Sequence, residues 1–313
     1  MWKLLLLAAA LQASSPLVNG KLALEDELTS FIQNFERLIY SPPNKETGKS
    51  PVRPASCLRK YTDFLFPGAK VAKWKPEDGV NPEELGDTYV EGDIRLPERV
   101  KFRNGLKAET SRWKGGVVPY RISDAFNYKD YNTIMSAIKE YHDLTCIKWV
   151  RWSGEEDYVY FVPGNTGCWS SVGRVGGMQE LNLQTPGCLT KKGTVIHEML
   201  HALGFLHEQN RYERDSHVTI NWQNIQKGRE VNFEKATAET ADGQGVPYDY
   251  RSVMHYSANA FSSNGKPTIV PKLQVGGVEL GQREGLSRSD IKKIRKMYKC
   301  GADGGRKKRL PKL

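Results

Sequence analysis

Apolar residues recur at helical spacing in three segments of the chain, residues 128–142, 193–204 and 288–299. In each segment, apolar side chains three and four residues apart form one stripe, which predicts an amphipathic helix with one buried face. Ser287 and Asp290 stand at capping-box spacing at the start of the third segment, which strengthens that prediction.

Shorter apolar runs predict strands at residues 117–122, 147–151 and 158–162. Pro119 interrupts the first run and favours an edge position, because proline cannot donate a ladder hydrogen bond. Strands and helices follow one another without a regular alternation. This order favours an α+β domain.

The amino-terminal third differs from the rest of the chain in its composition and in its pattern of apolar residues. Lys3 precedes a short leucine- and alanine-rich run, and small and polar residues follow to Gly20. This layout is typical of a secretory signal peptide, so we expect residues 1–20 to be removed and the protein to be secreted into the extracellular space. No later stretch approaches the roughly 20 apolar residues of a spanning helix, so we expect no membrane span.

Residues 21–103 give no pattern that predicts an independent core. Residues 23–40 have the spacing of a short amphipathic helix, and a linker-like stretch rich in Pro, Ser and Lys follows to about Ser56. From residue 57 to 103, Pro and Gly are scattered without sustained periodicity. We expect this region to be irregular.

The composition is that of an ordinary globular protein, with 39% hydrophobic and 26% charged residues among 313. The formal net charge is +10, and five positive charges lie in the tail, residues 302–313. No aromatic interleaving or nucleic-acid fold signature accompanies them, so we expect no nucleic-acid partner. The tail is either a processing site for basic-specific convertases or a contact for polyanions.

Five cysteines in a secreted chain predict disulfides and one residue left over. Cys57 stands apart in the irregular region. The remaining four, Cys146, Cys168, Cys188 and Cys300, allow three pairings, and their spacing does not choose among them.

The second helical segment, residues 193–204, contains two candidate metal ligands. His197 and His201 are four residues apart and project from one helical face, so they can bind a single metal ion. Gly204 allows the chain to turn back, which makes His207 the third ligand. Three imidazoles with one open position are typical of a catalytic zinc site, whereas structural sites more often use four protein ligands. We expect one Zn²⁺ per chain.

Glu198 follows the first ligand and lies about 100° around the helix from it. It can reach a water bound by the metal without being a ligand itself. Zinc lowers the pKa of such a water to about 7, and Glu198 is then its general base. Downstream, Met254 is the candidate for the methionine turn that this long zinc motif requires.

The residues from His197 to Arg211, with Glu208 directly after the third histidine, and from Ser252 to Tyr256 resemble the astacin family of metzincin proteases. The resemblance covers roughly residues 104–301. It implies a two-lobed domain with a mixed twisted sheet and long helices, zinc at the floor of the cleft between the lobes, and an irregular propeptide in front. It also implies that Tyr256 is a further zinc ligand that swings to stabilise the oxyanion.

The resemblance implies three further features of the domain. The disulfides would be Cys146–Cys300 and Cys168–Cys188. The strand that begins at Cys168, Trp169 and Ser170 would pair with extended substrate, a form of sheet-edge addition.

The resemblance also implies how a precursor is kept inactive and then activated. Family prosegments carry an Asp that binds zinc in place of water. Here Gly92 and Asp93 match that element, although Val90 replaces its Phe. An exposed turn aspartate is the alternative for Asp93, and a Cys57 thiolate is a weaker rival as the inhibitory ligand. Cleavage after Arg103 by a trypsin-like protease would make Asn104 the new amino terminus, which would be buried near Glu208.

The sequence therefore predicts a secreted zinc metalloendopeptidase, made as a zymogen, that acts on extracellular proteins or peptides. A catalytically inactive, binding-only relative is the main alternative. It is disfavoured because Glu198 and all three histidines are present.

Overall fold

The computed structural model describes residues 68–86, 88–96, 109–237, 243–273 and 277–301. The predicted signal peptide, the helix predicted at residues 23–40, Cys57 and the basic tail lie outside these ranges. So do Arg103 and Asn104, the residues on either side of the predicted activation bond.

A five-stranded sheet forms the frame of the first part of the domain. Its strands are β1 (Val117–Ile122), β2 (Lys148–Arg151), β3 (Tyr158–Val162), β4 (Cys168–Ser170) and β5 (Met178–Leu183). They lie in the order β2-β1-β3-β5-β4. All neighbours are parallel except β4, which runs antiparallel to β5 at the edge of the sheet.

The edge position predicted from Pro119 is wrong, because β1 is an interior strand that pairs with both β2 and β3. The register explains how proline is tolerated there. Pro119 lies opposite Val150 of β2, but β3 begins to pair with β1 only at Tyr120. At Pro119 the strand therefore has a partner on one side only, and the missing N–H breaks no ladder bond to β3.

The three predicted helices are present as α1 (Tyr128–Leu144), α2 (Lys192–Ala202) and α3 (Arg288–Met297). The side chain of Asn127 caps α1 by accepting a hydrogen bond from the Asp130 amide, and the predicted capping box of Ser287 and Asp290 begins α3. Two further strands, β6 (Val218–Ile220) and β7 (Ile269–Pro271), form a separate antiparallel pair. The apolar pattern predicts neither strand, because each has only three residues.

The buried apolar residues form two clusters. The larger joins the five-stranded sheet to the three helices, and the smaller contains β6, β7 and the segment after Met254. Met254 belongs to the first cluster and Tyr256 to the second, so the chain crosses between the two cores within three residues. Two separate cores agree with a domain of two lobes.

The structure contains the disulfides Cys146–Cys300 and Cys168–Cys188, which is the pairing that the resemblance implies. The first joins the segment after α1 to the residues after α3. The second joins β4 to the turn before α2 and closes a loop of 20 residues. A loop of that size is worth about 3 kcal/mol in the chain-entropy model, so it fixes β4 relative to α2.

Among the described residues, no helix combines the length and the apolar character needed to cross a bilayer.

Candidate metal centre and active site

Helix α2 is buried at every position after Lys192, which fixes the direction of its polar side chains. Val195, Ile196 and Met199 pack into the larger core, and His197 and His201 project together from another face. The helix ends at Ala202, and Gly204 turns the chain in a left-handed conformation with φ of 103°. That conformation suits glycine and brings His207 back beside the helix.

Three imidazoles and one carboxylate converge at this point. The Nε2 atoms of His197 and His207 lie 3.2 Å apart. Asp93 places Oδ2 3.0 Å from Nε2 of His197 and 3.2 Å from Nε2 of His207, and its Oδ1 lies 3.5 Å from Nε2 of His201. All four side chains are fully buried or nearly so. Burial raises the pKa of the Asp93 carboxyl, but the charges of His207 and His201 outweigh it and hold that pKa well below its usual range.

The far side of each imidazole is held by an acceptor. Nδ1 of His197 donates to the Val253 carbonyl at 2.7 Å, and Nδ1 of His201 donates to the Phe205 carbonyl at 2.8 Å. Nδ1 of His207 lies 2.6 Å from the Glu91 carboxylate. In the cationic rings that lower the Asp93 pKa, both nitrogens carry protons. In the neutral, metal-binding form the proton stays on Nδ1, and the Nε2 lone pair is directed at the centre of the cluster.

The cluster fits a single zinc ion. Ligand atoms bound at about 2 Å to a tetrahedral zinc lie about 3.3 Å from one another, and the separations above match that figure. One nitrogen or oxygen from each of the four residues lies within 4.8 Å of the others. Nε2 of His201 and Oδ1 of Asp93 are buried and have no hydrogen-bond partner within the described part of the chain. A cation bound between these atoms would satisfy their lone pairs.

Glu198 lies on the same helix, one residue after His197, and is completely buried. Neither carboxylate oxygen has a hydrogen-bond partner among the residues that the structure describes. Burial raises the pKa of the Glu198 carboxyl well above its usual range, and the charge of Asp93 adds to that effect. A buried, unpaired carboxyl beside a metal centre is the arrangement that acid–base chemistry needs.

The segment after Val253 supplies an aromatic hydroxyl to the same place. The Tyr256 ring lies 4.6 Å from the His207 ring, and its hydroxyl donates a hydrogen bond to the Glu91 carbonyl oxygen. Asp290 of α3 holds the turn in place by accepting from the Ser252 hydroxyl at 2.6 Å and from the Val253 amide at 2.9 Å. The carboxylate that completes the capping box of α3 therefore also positions the methionine turn.

Asp93 reaches the cluster from a tight turn that precedes the five-stranded sheet in the sequence. Val90 and Ile94 exchange backbone hydrogen bonds of 3.1 and 2.9 Å, and Glu91 and Gly92 between them have φ of 51° and 86°. A Cβ on Gly92 would lie 2.8 Å from the Phe261 ring, so only glycine fits there. The turn buries Asp93 completely, which excludes the exposed-turn alternative.

Comparison with known proteins agrees with this geometry. A family model described as Astacin, a peptidase family, matches residues 105–299, which is more than half of the chain. This chain belongs to the astacin family. It is therefore a zinc-dependent metalloendopeptidase, and the predicted family, fold class and zinc cofactor are confirmed.

Three proteins similar to this astacin differ in how much of their own length the match covers. Zinc metalloproteinase nas-4 of Caenorhabditis elegans is 37% identical over 286 residues, covering 88% of this chain and 87% of its own length. Meprin A subunit beta of Homo sapiens is 42% identical over 221 residues, covering 70% of this chain but 31% of its own length. Among solved structures, high choriolytic enzyme 1, a hatching enzyme zinc-protease from the medaka Oryzias latipes, matches with a TM-score of 0.57 and 40% identity, covering 63% of this chain and all of that one.

In this astacin, a second turn of the region before residue 104 also enters the protease domain. Glu83 is fully buried and forms an ion pair with the equally buried Arg283. Glu84 accepts hydrogen bonds from the Ser257 amide at 2.6 Å and from Nδ2 of Asn81 at 2.9 Å. Burial raises the pKa of the Glu84 carboxyl despite the opposing charge of Arg283.

Glu83, Glu84 and Arg283 are site residues that the sequence does not predict. The paired residues Glu83 and Arg283 lie 200 positions apart, and neither belongs to the zinc motif or the methionine turn. The run Asn81-Pro82-Glu83-Glu84 does have the pattern of a capped helical start, with proline at the first position. That signal predicts a turn, but nothing in it indicates a partner.

Glu208 of the astacin domain is buried among cations. It forms ion pairs with Lys293 of α3 and with Arg211, the latter at 2.9 Å, and it accepts from the Asp249 amide at 2.9 Å. Burial raises the pKa of the Glu208 carboxyl, but Lys293 and Arg211 outweigh it and lower that pKa overall. Lys293 is a further partner that the sequence does not predict.

The predicted substrate-binding strand lies at the edge of the sheet as β4, and here the segment around Asp93 pairs with it. The Ser170 amide donates to the Asp93 carbonyl, and the Arg95 amide donates to the Ser170 carbonyl, both at 2.9 Å. Cys168 is in the disulfide, and Trp169 is buried. The structure thus brings β4, Asp93 and the three histidines together in one cleft.

Proposed function

We propose that this chain is a secreted astacin zymogen with a signal peptide at residues 1–20, a propeptide at 21–103, a peptidase domain at 104–301 and a basic tail at 302–313. After propeptide removal it hydrolyses peptide bonds of extracellular proteins. The observation that carries the proposal is Asp93, which precedes the domain and yet lies 3.0–3.5 Å from all three histidines. Polyanion contact is proposed for the tail alone.

His197, His201 and His207 hold the zinc in this proposal. When bound, the ion supplies Lewis acidity to the substrate carbonyl and lowers the pKa of water. The Nδ1 contacts of the three rings to Val253, Phe205 and Glu91 support these roles, because they keep each ring in a ligating tautomer. Once the propeptide leaves, the contact from Glu91 leaves with it.

Glu198 is the proposed general base. It accepts a proton from the attacking water and later delivers that proton to the leaving amine. Its burial beside His197, with no competing hydrogen bond to either oxygen in the described structure, supports this assignment. Burial raises the pKa of the Glu198 carboxyl, and this cause remains after the propeptide leaves, whereas the contribution of Asp93 does not.

Tyr256 is the proposed donor to the oxyanion. Its hydroxyl donates to the carbonyl oxygen of Glu91, a peptide carbonyl within the cleft. Burial raises the pKa of the Tyr256 phenol well above its usual range, so the hydroxyl keeps its proton at neutral pH. A phenol that already binds a carbonyl oxygen can bind the developing oxyanion of a substrate in the same way.

Four propeptide contacts cover these groups or hold the propeptide beside them. Asp93 occupies the fourth corner of the metal cluster, and Arg95 pairs with the edge strand at Ser170. Glu91 takes the Tyr256 hydroxyl, and Glu83 neutralises Arg283. Substrate has no access to β4 or to the metal while these contacts last.

Activation is expected to depend on the bond after Arg103. Replacing Arg103 by alanine removes the side chain that a trypsin-like protease requires, so the precursor should stay at full length and inactive. The measurement is the mass and amino-terminal sequence of the product after trypsin treatment, with Lys101→Ala as the matched control. Efficient cleavage of the Arg103→Ala chain at the same bond would contradict the assignment.

Zinc removal should abolish the peptidase activity of the processed protein. The three histidines supply no water activation by themselves, so dialysis against a chelator should reduce cleavage of a test peptide at least about a hundredfold. Restoring one equivalent of zinc should restore the activity, and metal analysis should give one zinc per chain. A processed protein that cleaves peptides equally well without metal would refute the proposed function.

A further inference from the structure

We propose that Trp169 and Glu180 form a substrate subsite that selects a basic side chain, with arginine preferred over lysine. The inference rests on the proposed function, because it concerns a peptide bound along β4 of the processed enzyme. It adds a sequence preference to that function.

The propeptide itself places a basic side chain at this position. Cζ of Arg95 lies 4.8 Å from the centroid of the Trp169 ring, a cation–π distance. The Arg95 guanidinium also contacts the Glu180 carboxylate, with Nη1 2.9 Å from Oε2. One arginine thus meets an aromatic face and a carboxylate at the same time.

The backbone explains why a substrate would use the same position. The amides and carbonyls of Asp93, Ser170 and Arg95 form edge-strand hydrogen bonds, so the Arg95 side chain has the direction that strand pairing imposes. Arg95 is two residues from Asp93, which reaches the metal cluster. Within the described ranges, the propeptide pairs with β4 through a single parallel bridge, between Ile94 and Ser170. Because side chains alternate between the two faces of a strand in either direction, a peptide paired with β4 would also direct a side chain over Trp169 within two or three residues of the scissile bond.

The subsite is built from the protease domain and stays after the propeptide leaves. A cavity of about 590 Å³ is lined on the domain side by residues that include Val162, Thr166, Trp169, Glu180 and Asn182. Glu180 is the only charged residue among the described residues that line it from the domain side. The subsite is therefore negative with an aromatic wall, which suits a long cationic side chain.

The orientation of the Trp169 ring is fixed before substrate binds. Its Nε1 donates to the Thr166 hydroxyl at 2.9 Å, and the neighbouring Cys168 is in the disulfide with Cys188. Glu180 lies on β5, the strand that pairs with β4. A planar guanidinium can stack on the ring and keep an N–H directed at the carboxylate, whereas an ammonium cannot stack. This geometry is the reason for the preference for arginine.

The test uses the processed, zinc-loaded enzyme and a set of peptides that differ at one position. Arginine, lysine, glutamine or glutamate is placed in turn at each of the three positions on either side of one scissile bond. We expect arginine to be favoured over glutamine about five- to tenfold in kcat/KM at one position, mostly through KM, from one exposed ion pair and one cation–π contact.

Variants assign that preference to the two residues. Glu180→Gln should reduce the arginine-to-glutamine ratio below about twofold, and Glu180→Lys should favour glutamate instead. Trp169→Leu should remove the difference between arginine and lysine. The matched control is Glu109→Gln, which also removes an exposed glutamate paired with an arginine, at 3.3 Å, but outside the cleft. It should keep the wild-type ratio.

Two outcomes overturn the subsite. One is a wild-type enzyme with no basic preference at any position, and the other is a preference that Glu180→Gln and Glu180→Lys leave intact. Failure of the proposed function looks different, because no peptide would then be cleaved in a manner that depends on Glu198. Cleavage that depends on Glu198 without any charge preference would refute the subsite alone.

Discussion

Replacing Glu198 by glutamine is expected to lower kcat of the processed, zinc-loaded enzyme by about 10²–10⁴-fold. Glutamine keeps the size of the side chain and leaves the histidine ligands unchanged, but it cannot accept a proton from the attacking water. KM should change little, because Glu198 has no assigned contact with the ground-state substrate. The measurement is steady-state hydrolysis of a fluorogenic peptide.

Zinc content and thermal stability distinguish lost chemistry from lost structure. Glu198→Gln should bind one zinc per chain and melt at or above the wild-type temperature, because a buried ionisable group is replaced by a neutral one. The control is Glu230→Gln, an acid-to-amide change at a residue that accepts a hydrogen bond on an exposed loop. Wild-type kcat in Glu198→Gln with full zinc would contradict the role of general base.

Replacing Asp93 by asparagine is expected to give the uncut precursor peptidase activity, at least about tenfold above that of the unchanged precursor. The buried carboxylate pairs with three histidines, and removing one partner of a buried ionic cluster costs about 3–5 kcal/mol. The substitution is made together with Arg103→Ala, so that processing cannot produce the activity. Peptide hydrolysis is measured on chains verified as full length.

The activity of this precursor should stay below that of the processed enzyme. Arg95 still pairs with Ser170, and Glu83 still pairs with Arg283, so the propeptide continues to compete with substrate. Adding Glu83→Gln should raise the activity further. The control is Glu77→Gln, an acid-to-amide change at an exposed propeptide residue. If the Asp93→Asn precursor remained as inactive as this control, the switch would lie elsewhere, with Cys57 as the next candidate.

The helices were predictable because their signals are local. The stripes of α1, α2 and α3 and the box of Ser287 and Asp290 depend on residues three and four apart. The position of Pro119 was not predictable, because edge or interior depends on which strands flank it. The strand β5 was missed because its Gln179, Glu180 and Asn182 break the apolar pattern. Asn182 is buried nonetheless, since its amide binds the backbone of Gly164 and Gly167.

The residues of the candidate site likewise divide into those with a local sequence signal and those without one. His197, Glu198, His201 and His207 lie within eleven residues, so their spacing alone indicates a metal centre. The groups that bind residues 83–95 come from distant parts of the chain, as the ion pair between Glu83 and Arg283 illustrates. Such contacts depend on the complete fold, and a single sequence carries no signal that joins them.

The ion pair between Glu83 and Arg283 has a consequence for the time course of activation. Glu83, Asp93 and Arg95, which bind the rest of the chain, all precede the proposed cut after residue 103. If the proposed activation is right, hydrolysis of that one bond should sever the covalent link but leave the fragment bound in the cleft as a reversible competitive inhibitor. Full activity should then appear after a lag that shortens on dilution, because the detached fragment must first dissociate from the cleft.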